Sequence, residues 1–410
     1  MTKSQNDKDL TWIVNLLNKS ESKSGSKSVP GLEILPISFL LFSIMDFGDD
    51  IPENDGLGIA RTAIINVASK RNITNKTLVG EIKKLTNDYL NLPINRFVIS
   101  TTISITKPNI FKRLYFGNSQ IILESNHPPK FEKEQKALEG NTTKALIVNP
   151  PENYLPVRVH VSARSIDHAF NKGIDTLDYF RGIWNLHINR GNTFRFSFSG
   201  KTKPVNKIVL GPIHFIHHPN GELVNKELFY YDPNYKGAIN PIEMNQYQNI
   251  IKFTNGVLNK IKKVNYKAEL INSIVRYTNA LDDSNLQNSY LKLWGLLEKL
   301  TDTIYGSNEE TAKRAAYLYP NNQVVLKILH QLRNYRNKSV HAGEETSAVE
   351  LYVYELKTIV EKLLFFSIDN PFKFTTFKEI GDFLKQPHEI EHLKYRADLA
   401  RNALQYLYKK

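Results

Sequence analysis

Apolar positions recur at helical spacing from Ile59 to Leu90, and runs suited to strands follow at Arg96 to Thr106 and Ser119 to Glu124. Val157 to Val161 (VRVHV) alternates as a strand and leads into Ser165 to Leu186. There Ile166, Ala169, Phe170, Ile174, Leu177, Phe180 and Trp184 mark one helix face. Phe194 to Phe198 (FRFSF) alternates strictly. Ile208 to His217 and Leu223 to Tyr231 are two more apolar runs, separated by Pro219-Asn220-Gly221, whose Asn-Gly pair is suited to the positive φ angles of a tight hairpin. Beyond Gly256 such runs stop, and helical patterns cover Tyr266 to Ala280, Gln287 to Thr303, Asn322 to Val340, Thr346 to Ile368 and His388 to Tyr408.

The expected architecture is an α+β N-terminal domain followed by an all-α helical bundle domain. Residues 1–30 read as a short helix and a Ser/Lys/Gly-rich flexible linker, 31–255 as an α+β sensor or regulatory domain, and 256–410 as a helical domain with a C-terminal extension. The most apolar stretch, Leu32 to Met45, carries Glu33 and Pro36 and falls short of the roughly 20 residues that cross a bilayer, so it reads as a buried core segment. No membrane association is expected, and the expected location is the cytoplasm.

Composition narrows the chemistry. The 410 residues include no cysteine, which excludes disulfides, thiolate metal sites and cysteine nucleophiles. A net charge of +13 favours a polyanionic partner, because phosphates neutralised by Lys and Arg release counterions. Gly200-Lys201-Thr202 lacks the upstream glycine of a phosphate loop, since that position is Arg195. His214, His217 and His218 do not share one strand face and have no nearby carboxylate to complete a metal triad, so they read as core or surface histidines and no metal is expected.

The informative segment is NQVVLKILHQLRNYRNKSVHAG, residues 322–343, which holds Lys327, Arg333, Arg336 and Lys338 without one Asp or Glu and so reads as an unopposed positive field. Val325, Ile328, Leu329 and Leu332 form its apolar stripe, and Arg336 falls within that stripe. There it either pairs with a carboxylate or lines a cleft, because an unpaired buried charge costs several kcal/mol. His341 lies five residues on, about 140° around a continuous helix, so the two converge only if the helix ends or bends near Ser339, with Gly343 suited to stop it. Cations in a last helical turn also have a plain explanation in the helix macrodipole.

Arg336-Asn337-Lys338-Ser339-Val340-His341 resembles the Arg-polar-x3-His motif of the HEPN superfamily, and its ApeA-like bacterial branch in particular. Ile274 to Thr301 resembles the helix pair that precedes the motif there, including Leu293, Trp294, Leu297 and Glu298. Val159 to Leu186 is similar, more loosely, to a strand-helix segment in the N-terminal regions of such proteins. The resemblance spans about residues 256 to 368 and implies a helical bundle that dimerises.

It also implies a metal-independent endoribonuclease that needs no cofactor, leaves 2′,3′-cyclic phosphate and 5′-hydroxyl ends, and serves as a bacterial antiphage or toxin-like effector. Arg336, Asn337 and His341 are then the catalytic residues, with Lys327, Arg333 and Lys338 binding RNA. The implied partners are RNA, a second copy through the C-terminal domain, and a trigger or antitoxin. His341 can move a proton near neutral pH, and Arg336 offers a planar fork to phosphate. Glu298 either orients these groups or is a structural helix residue, Trp294 is core, and Tyr335 is a packed aromatic rather than a base-stacking one. The alternatives are a non-catalytic HEPN module that binds RNA or nucleotide or mediates assembly, and a regulator that binds duplex DNA.

Overall fold

The computed structural model describes residues 3–19, 31–48, 50–68, 70, 72–106, 113–133, 135, 151, 153–190, 204–225, 230–232, 235, 239–243, 249–342 and 348–408. The expected linker within 20–30, the FRFSF strand, the Gly200-Lys201-Thr202 segment and Gly343 lie outside the described residues.

Four helices come first: α1 (Lys3–Lys19), α2 (Gly31–Ile44), α3 (Glu53–Ala68) and α4 (Asn75–Leu90). Leu10, Ile13, Val14 and Leu17 sit at i, i+3, i+4 and i+7, and they are buried in one core with Ile37, Leu41, Ala63, Ile64, Leu78 and Ile82. Asn18 closes α1 onto the start of α4, its Nδ2 donating to the Ile73 carbonyl at 2.7 Å and its Oδ1 accepting from the Ile73 N–H at 2.9 Å. Thr74 then caps α4 in a capping box with Thr77. So α1 belongs to a helical unit with a core of its own. The apolar stretch in α2 is core on one face only, because Leu35 and Phe39 are exposed. Among the described residues no helix is long and apolar enough to cross a membrane.

The sheet follows, built from β1 (Asn95–Ile103), β2 (Arg113–Phe116), β3 (Ser119–Leu123), β4 (Leu155–Ala163), β5 (Ile213–His217) and β6 (Tyr230–Tyr231). Its order is β2-β3-β4-β1-β5-β6, with every pairing antiparallel. Ile99, Val157, Val159, Ile121 and Ile216 point to one face, as period-two alternation requires, and are buried beneath α5 (Ile166–Ile188), which Ser165 caps. The helix lies close because Gly173 has no side chain: a Cβ there would come within 2.7 Å of Ile99. The β5 end turns as anticipated, but only Gly221 takes a positive φ, +104°. The Gly221 N–H bonds the His218 carbonyl and the His218 N–H bonds the Glu222 carbonyl, so the hairpin needs one left-handed residue where two were expected.

The second sheet face is mixed, with Ile213 and Phe215 of β5 in a small apolar cluster and a polar group beside them. Ser100 and Arg158 are cross-strand neighbours there, Arg158 grips Glu124 through Nε and Nη2, and Phe131 and Gln135 cover them. His217 on this face and His214 on the other are both buried, and burial pushes each imidazole down to about 4. The neighbouring charges, Arg158 near His217 and Arg181 near His214, push the same way, while the bond to the Gly221 carbonyl resists at His217.

Unfolded imidazole protonates near 6.5, so as pH falls the unfolded chain takes up protons first. Stability is therefore full above about pH 6.5 and is lost between 6.5 and 4, at up to about 1.4 kcal/mol per pH unit for each ring. Urea unfolding of the full chain at pH 7 and pH 5 measures this loss, and replacing His214 by Gln is expected to flatten the slope. Equal stability at both pH values would show that the rings do not carry it.

The C-terminal part contains α6 (Ile250–Ile261), α7 (Lys267–Asp282), α8 (Leu286–Leu300), α9 (Asn308–Ala316), α10 (Asn322–Ala342), α11 (Val349–Asp369), α12 (Phe377–Leu384) and α13 (Ile390–Tyr408). The expected boundary near residue 256 runs through α6, and the sheet, α5 and helices α6 to α12 share one continuous hydrophobic core, to which α13 contributes no residue. At the contact of α5 with α7, Gly182 admits Ile274 and Thr278, either of which a Cβ would meet at 2.5 Å. Beside it, buried Arg181 pairs with Asp178 and with Asp282, the latter at 2.8 Å, and donates to the Ile208 carbonyl at 3.1 Å. Asn206 also reaches Asp282, at 2.7 Å, and Lys357 of α11 donates to the Asn189 carbonyl at 3.0 Å. These polar groups pair across three helices and one loop, with Arg181 Nε and Asn189 Oδ1 left without a hydrogen-bond partner among the described residues, and the pairing lets charge persist in the interior.

Candidate functional site

Helix α10 carries the candidate site, and its inner face is set by Leu329, Leu332, Tyr335 and Ser339, all buried. Val325 and Ile328 of the expected stripe are half-buried, since α10 enters its packing only from the second turn. Tyr290 of α8 donates its hydroxyl to the Leu332 carbonyl at 2.6 Å. Tyr335 stacks edge-on against Tyr290 with centroids 4.9 Å apart, lies 4.9 Å from the ring of Tyr352 on α11, and donates its hydroxyl to Gln287. It is thus the packed aromatic its sequence suggests. Trp294 is buried as well, and its indole N–H donates to Glu298 at 2.8 Å, which gives Glu298 a structural task within α8.

Arg336 follows Tyr335 at the edge of this packing and is half-buried. Among the described residues no carboxylate pairs with it; its Nη1 lies 3.5 Å from Oδ1 of Asn337. Burial pushes the Tyr290 hydroxyl well above its ordinary range, and the Arg336 guanidinium pulls against that from nearby. Asn337 is half-buried, and its Oδ1 accepts from Nδ2 of Asn308 on α9 at 3.3 Å. One turn past Arg336 on the same side, the buried Ser339 hydroxyl has no hydrogen-bond partner among the described residues. The edge of α10 therefore presents a guanidinium and a held carboxamide, while the Ser339 hydroxyl is buried on the inner face.

Two expectations change here. The positive field of 322–343 is not unopposed, because Glu309 of α9 pairs with Arg333, with His330 at 3.3 Å and with Lys313 at 3.5 Å. Burial raises the Glu309 carboxyl, but His330, Arg333 and Lys313 outweigh it and hold it below the usual carboxylate range. Nor does the helix end near Ser339: α10 continues to Ala342, and positions 336 and 341 of a regular helix are about 140° apart. His341 is in its last turn, and its side chain lies outside the described residues. Lys327 and Lys338 are exposed.

The sequence pointed to Arg336 and Asn337 but not to Asn308 or Glu309, whose only local mark is the Ser307 cap that starts α9. The histidine cluster resolves as two core residues, His214 and His217, and one exposed residue, His218. His217 is held by the Gly221 carbonyl at 2.8 Å on Nδ1 and faces the Ser100 hydroxyl at 3.0 Å on Nε2. That is the spacing of a nucleophile and its base. Yet both residues are 0% exposed and Gln135 closes over them, which leaves a substrate no approach. Among the described residues no group of three or more His, Asp or Glu is placed to hold a metal ion. No protein-family model, no curated protein and no solved structure matches the chain.

Proposed function

We propose that the C-terminal helical part is a HEPN-type bundle acting as a metal-independent endoribonuclease, in a bacterial antiphage or toxin-like effector. The observation that carries this reading is Arg336: a half-buried guanidinium with no carboxylate partner among the described residues, beside a carboxamide held in place by Asn308. Its planar fork matches two phosphate oxygens and stabilises the charge that grows on the phosphorane. Asn337 adds a hydrogen bond, and His341 removes the 2′-hydroxyl proton or protonates the leaving 5′-oxygen. One motif supplies too few proton-transfer groups. Since α10 is continuous, two copies facing each other are the means by which the Arg336 of one meets the His341 of the other. With Arg333 engaged by Glu309, phosphate contacts outside the centre fall to Lys327 and Lys338. The sheet and N-terminal helices, which have no open catalytic constellation among the described residues, take the sensing or regulatory role, with a trigger or antitoxin as partner.

The test is to incubate RNA with the full chain, with and without EDTA, and analyse the product ends. Cleavage that survives EDTA and leaves 2′,3′-cyclic phosphate and 5′-hydroxyl ends is expected. A strict Mg²⁺ or Mn²⁺ requirement would overturn the mechanism. The angular separation of Arg336 and His341 within one chain favours a second reading, a HEPN module that binds RNA without cutting it. RNA binding with no cleavage at any chain concentration would select that one.

A further inference from the structure

A cavity of about 550 Å³ lies between α6 and α11, beside Arg190 at the C-terminal end of α5. Its walls are apolar. Phe253 and Val257 of α6 line it from one side and Phe365 and Ile368 of α11 from the other, with the two phenyl rings meeting edge to face at 6.2 Å between centroids. Apolar walls with a few converging polar groups are the usual form of a small-molecule site of this size. The polar groups that decide what fits are Glu361, Arg190 and Lys362.

Glu361 is 6% exposed, and the two groups that hold it both approach Oε1: the Tyr277 hydroxyl donates at 2.5 Å and the Lys357 ammonium lies at 3.0 Å. Its other oxygen, Oε2, accepts no hydrogen bond among the described residues, so it is the oxygen left to the cavity that Glu361 lines. A buried acceptor left unpaired costs free energy that a donor on a ligand would recover. Burial raises the Glu361 carboxyl, and Lys357, Tyr277 and Arg190 pull it down, so Arg190 is near enough for its charge to act there. The Arg190 guanidinium stands over the Phe365 ring at 5.3 Å and the Lys362 ammonium over the Tyr319 ring at 4.0 Å. Neither pairs with a carboxylate among the described residues. The other charges cancel, since Lys260 pairs with Asp369 at 2.7 Å and Lys357 offsets Glu361. The cavity therefore keeps a positive excess.

We infer that this cavity binds a small organic anion whose flat apolar body carries an N–H or O–H donor. The body lies between Phe253 and Phe365, the donor bonds Oε2 of Glu361, and the anionic group, a carboxylate or a phosphate, meets Arg190 and Lys362. A ligand ammonium is excluded from the Glu361 end, because it would meet Lys357 there, whereas a neutral donor bonds the same oxygen without that repulsion. The site uses none of Arg336, Asn337 and His341 and does not rest on the RNA reading.

Indole-3-acetate has the three features in one molecule. Isothermal titration into the full chain at pH 7 should give one site with a dissociation constant on the order of 100 µM, as expected for a ligand of about 13 heavy atoms. Naphthalene-1-acetate keeps the ring system and the anion but has no N–H, and should bind at least about tenfold more weakly. Indole, which lacks the anion, should show no binding. Indoxyl phosphate carries the same ring and donor with a phosphate, and the tighter of the two indole anions identifies the group that the cations take. Arg190→Gln should weaken both by about tenfold or more with unchanged thermal unfolding, because Arg190 is exposed. A Cβ on Gly256, which lines the cavity, would meet nothing within 4 Å, so Gly256→Leu should abolish binding with no loss of stability, an interior glycine being a poor helix former. No binding of either indole anion at about 5 mM, far above the expected constant, would overturn the inference. So would an affinity indifferent to loss of the N–H or of the anion. Undiminished binding by either folded variant would also overturn it, by placing the ligand elsewhere on the chain.

Discussion

Replacing Arg336 or His341 by alanine is expected to lower RNA cleavage by at least about two orders of magnitude, the scale of a general acid-base group or an oxyanion donor, while the protein stays folded. Folding should survive because the grip of α10 on its neighbours comes from Leu329, Leu332 and Tyr335, whereas Arg336 sits at the edge of that packing with no carboxylate depending on it among the described residues. Arg336→Lys keeps the charge but loses the planar fork, so it should recover only part of the activity. Asn337→Ala should cost less, since it removes one neutral hydrogen bond and releases Asn308. The measurement is initial cleavage rate beside far-UV circular dichroism and thermal unfolding of each variant. Undiminished cleavage by folded His341→Ala protein would remove the catalytic assignment. If the active centre is composite, mixing Arg336→Ala with His341→Ala protein should restore part of the rate, because one of the two centres in a mixed dimer is intact.

Arg181→Met should destabilise the full chain by about 3–5 kcal/mol, the cost of leaving a buried charge without its partner. Asp178 is buried, and burial already lifts its carboxyl to about 6 against the pull of Arg181, so removing the guanidinium leaves a carboxylate that must take up a proton or unfold its surroundings. Asp282 and the Ile208 carbonyl lose a donor at the same time. Adding Asp178→Asn should recover part of the loss, because the uncompensated charge is then gone; the shortfall from additivity measures the coupling. Urea unfolding reads both variants, and an unchanged midpoint in Arg181→Met would show that the network contributes nothing.

The same network ties α5 of the sheet region to α7 of the helical region. These two parts should therefore unfold in one transition, and a fragment starting at residue 256 would cut α6 and expose the α5 face of α7. Control of the nuclease by the N-terminal part is better tested in the full chain than by truncation.

The elements legible from the amino acids are those whose pattern is local. Strand β4 and helix α5 follow from period-two and period-3.6 spacing, with Ser165 marking the join, and the all-helical character beyond residue 256 follows from the same periodicity. Arg336 on a partly buried face was legible too, because a helical wheel needs only one helix. The oppositions were not. Glu309 meets Arg333 across 24 positions and Asn308 meets Asn337 across 29, and nothing local to either residue reports a neighbour that the docking of α9 on α10 supplies. In the same way α1 reads as a separate short helix until Asn18 and Leu17 are found closing onto α2 and α4, and residue 256 reads as a boundary until Gly182 lets α7 come close to α5. Periodicity states which face of an element will leave water. Which other face receives it depends on shape and charge brought together from distant parts of the chain, and only the packed structure decides that.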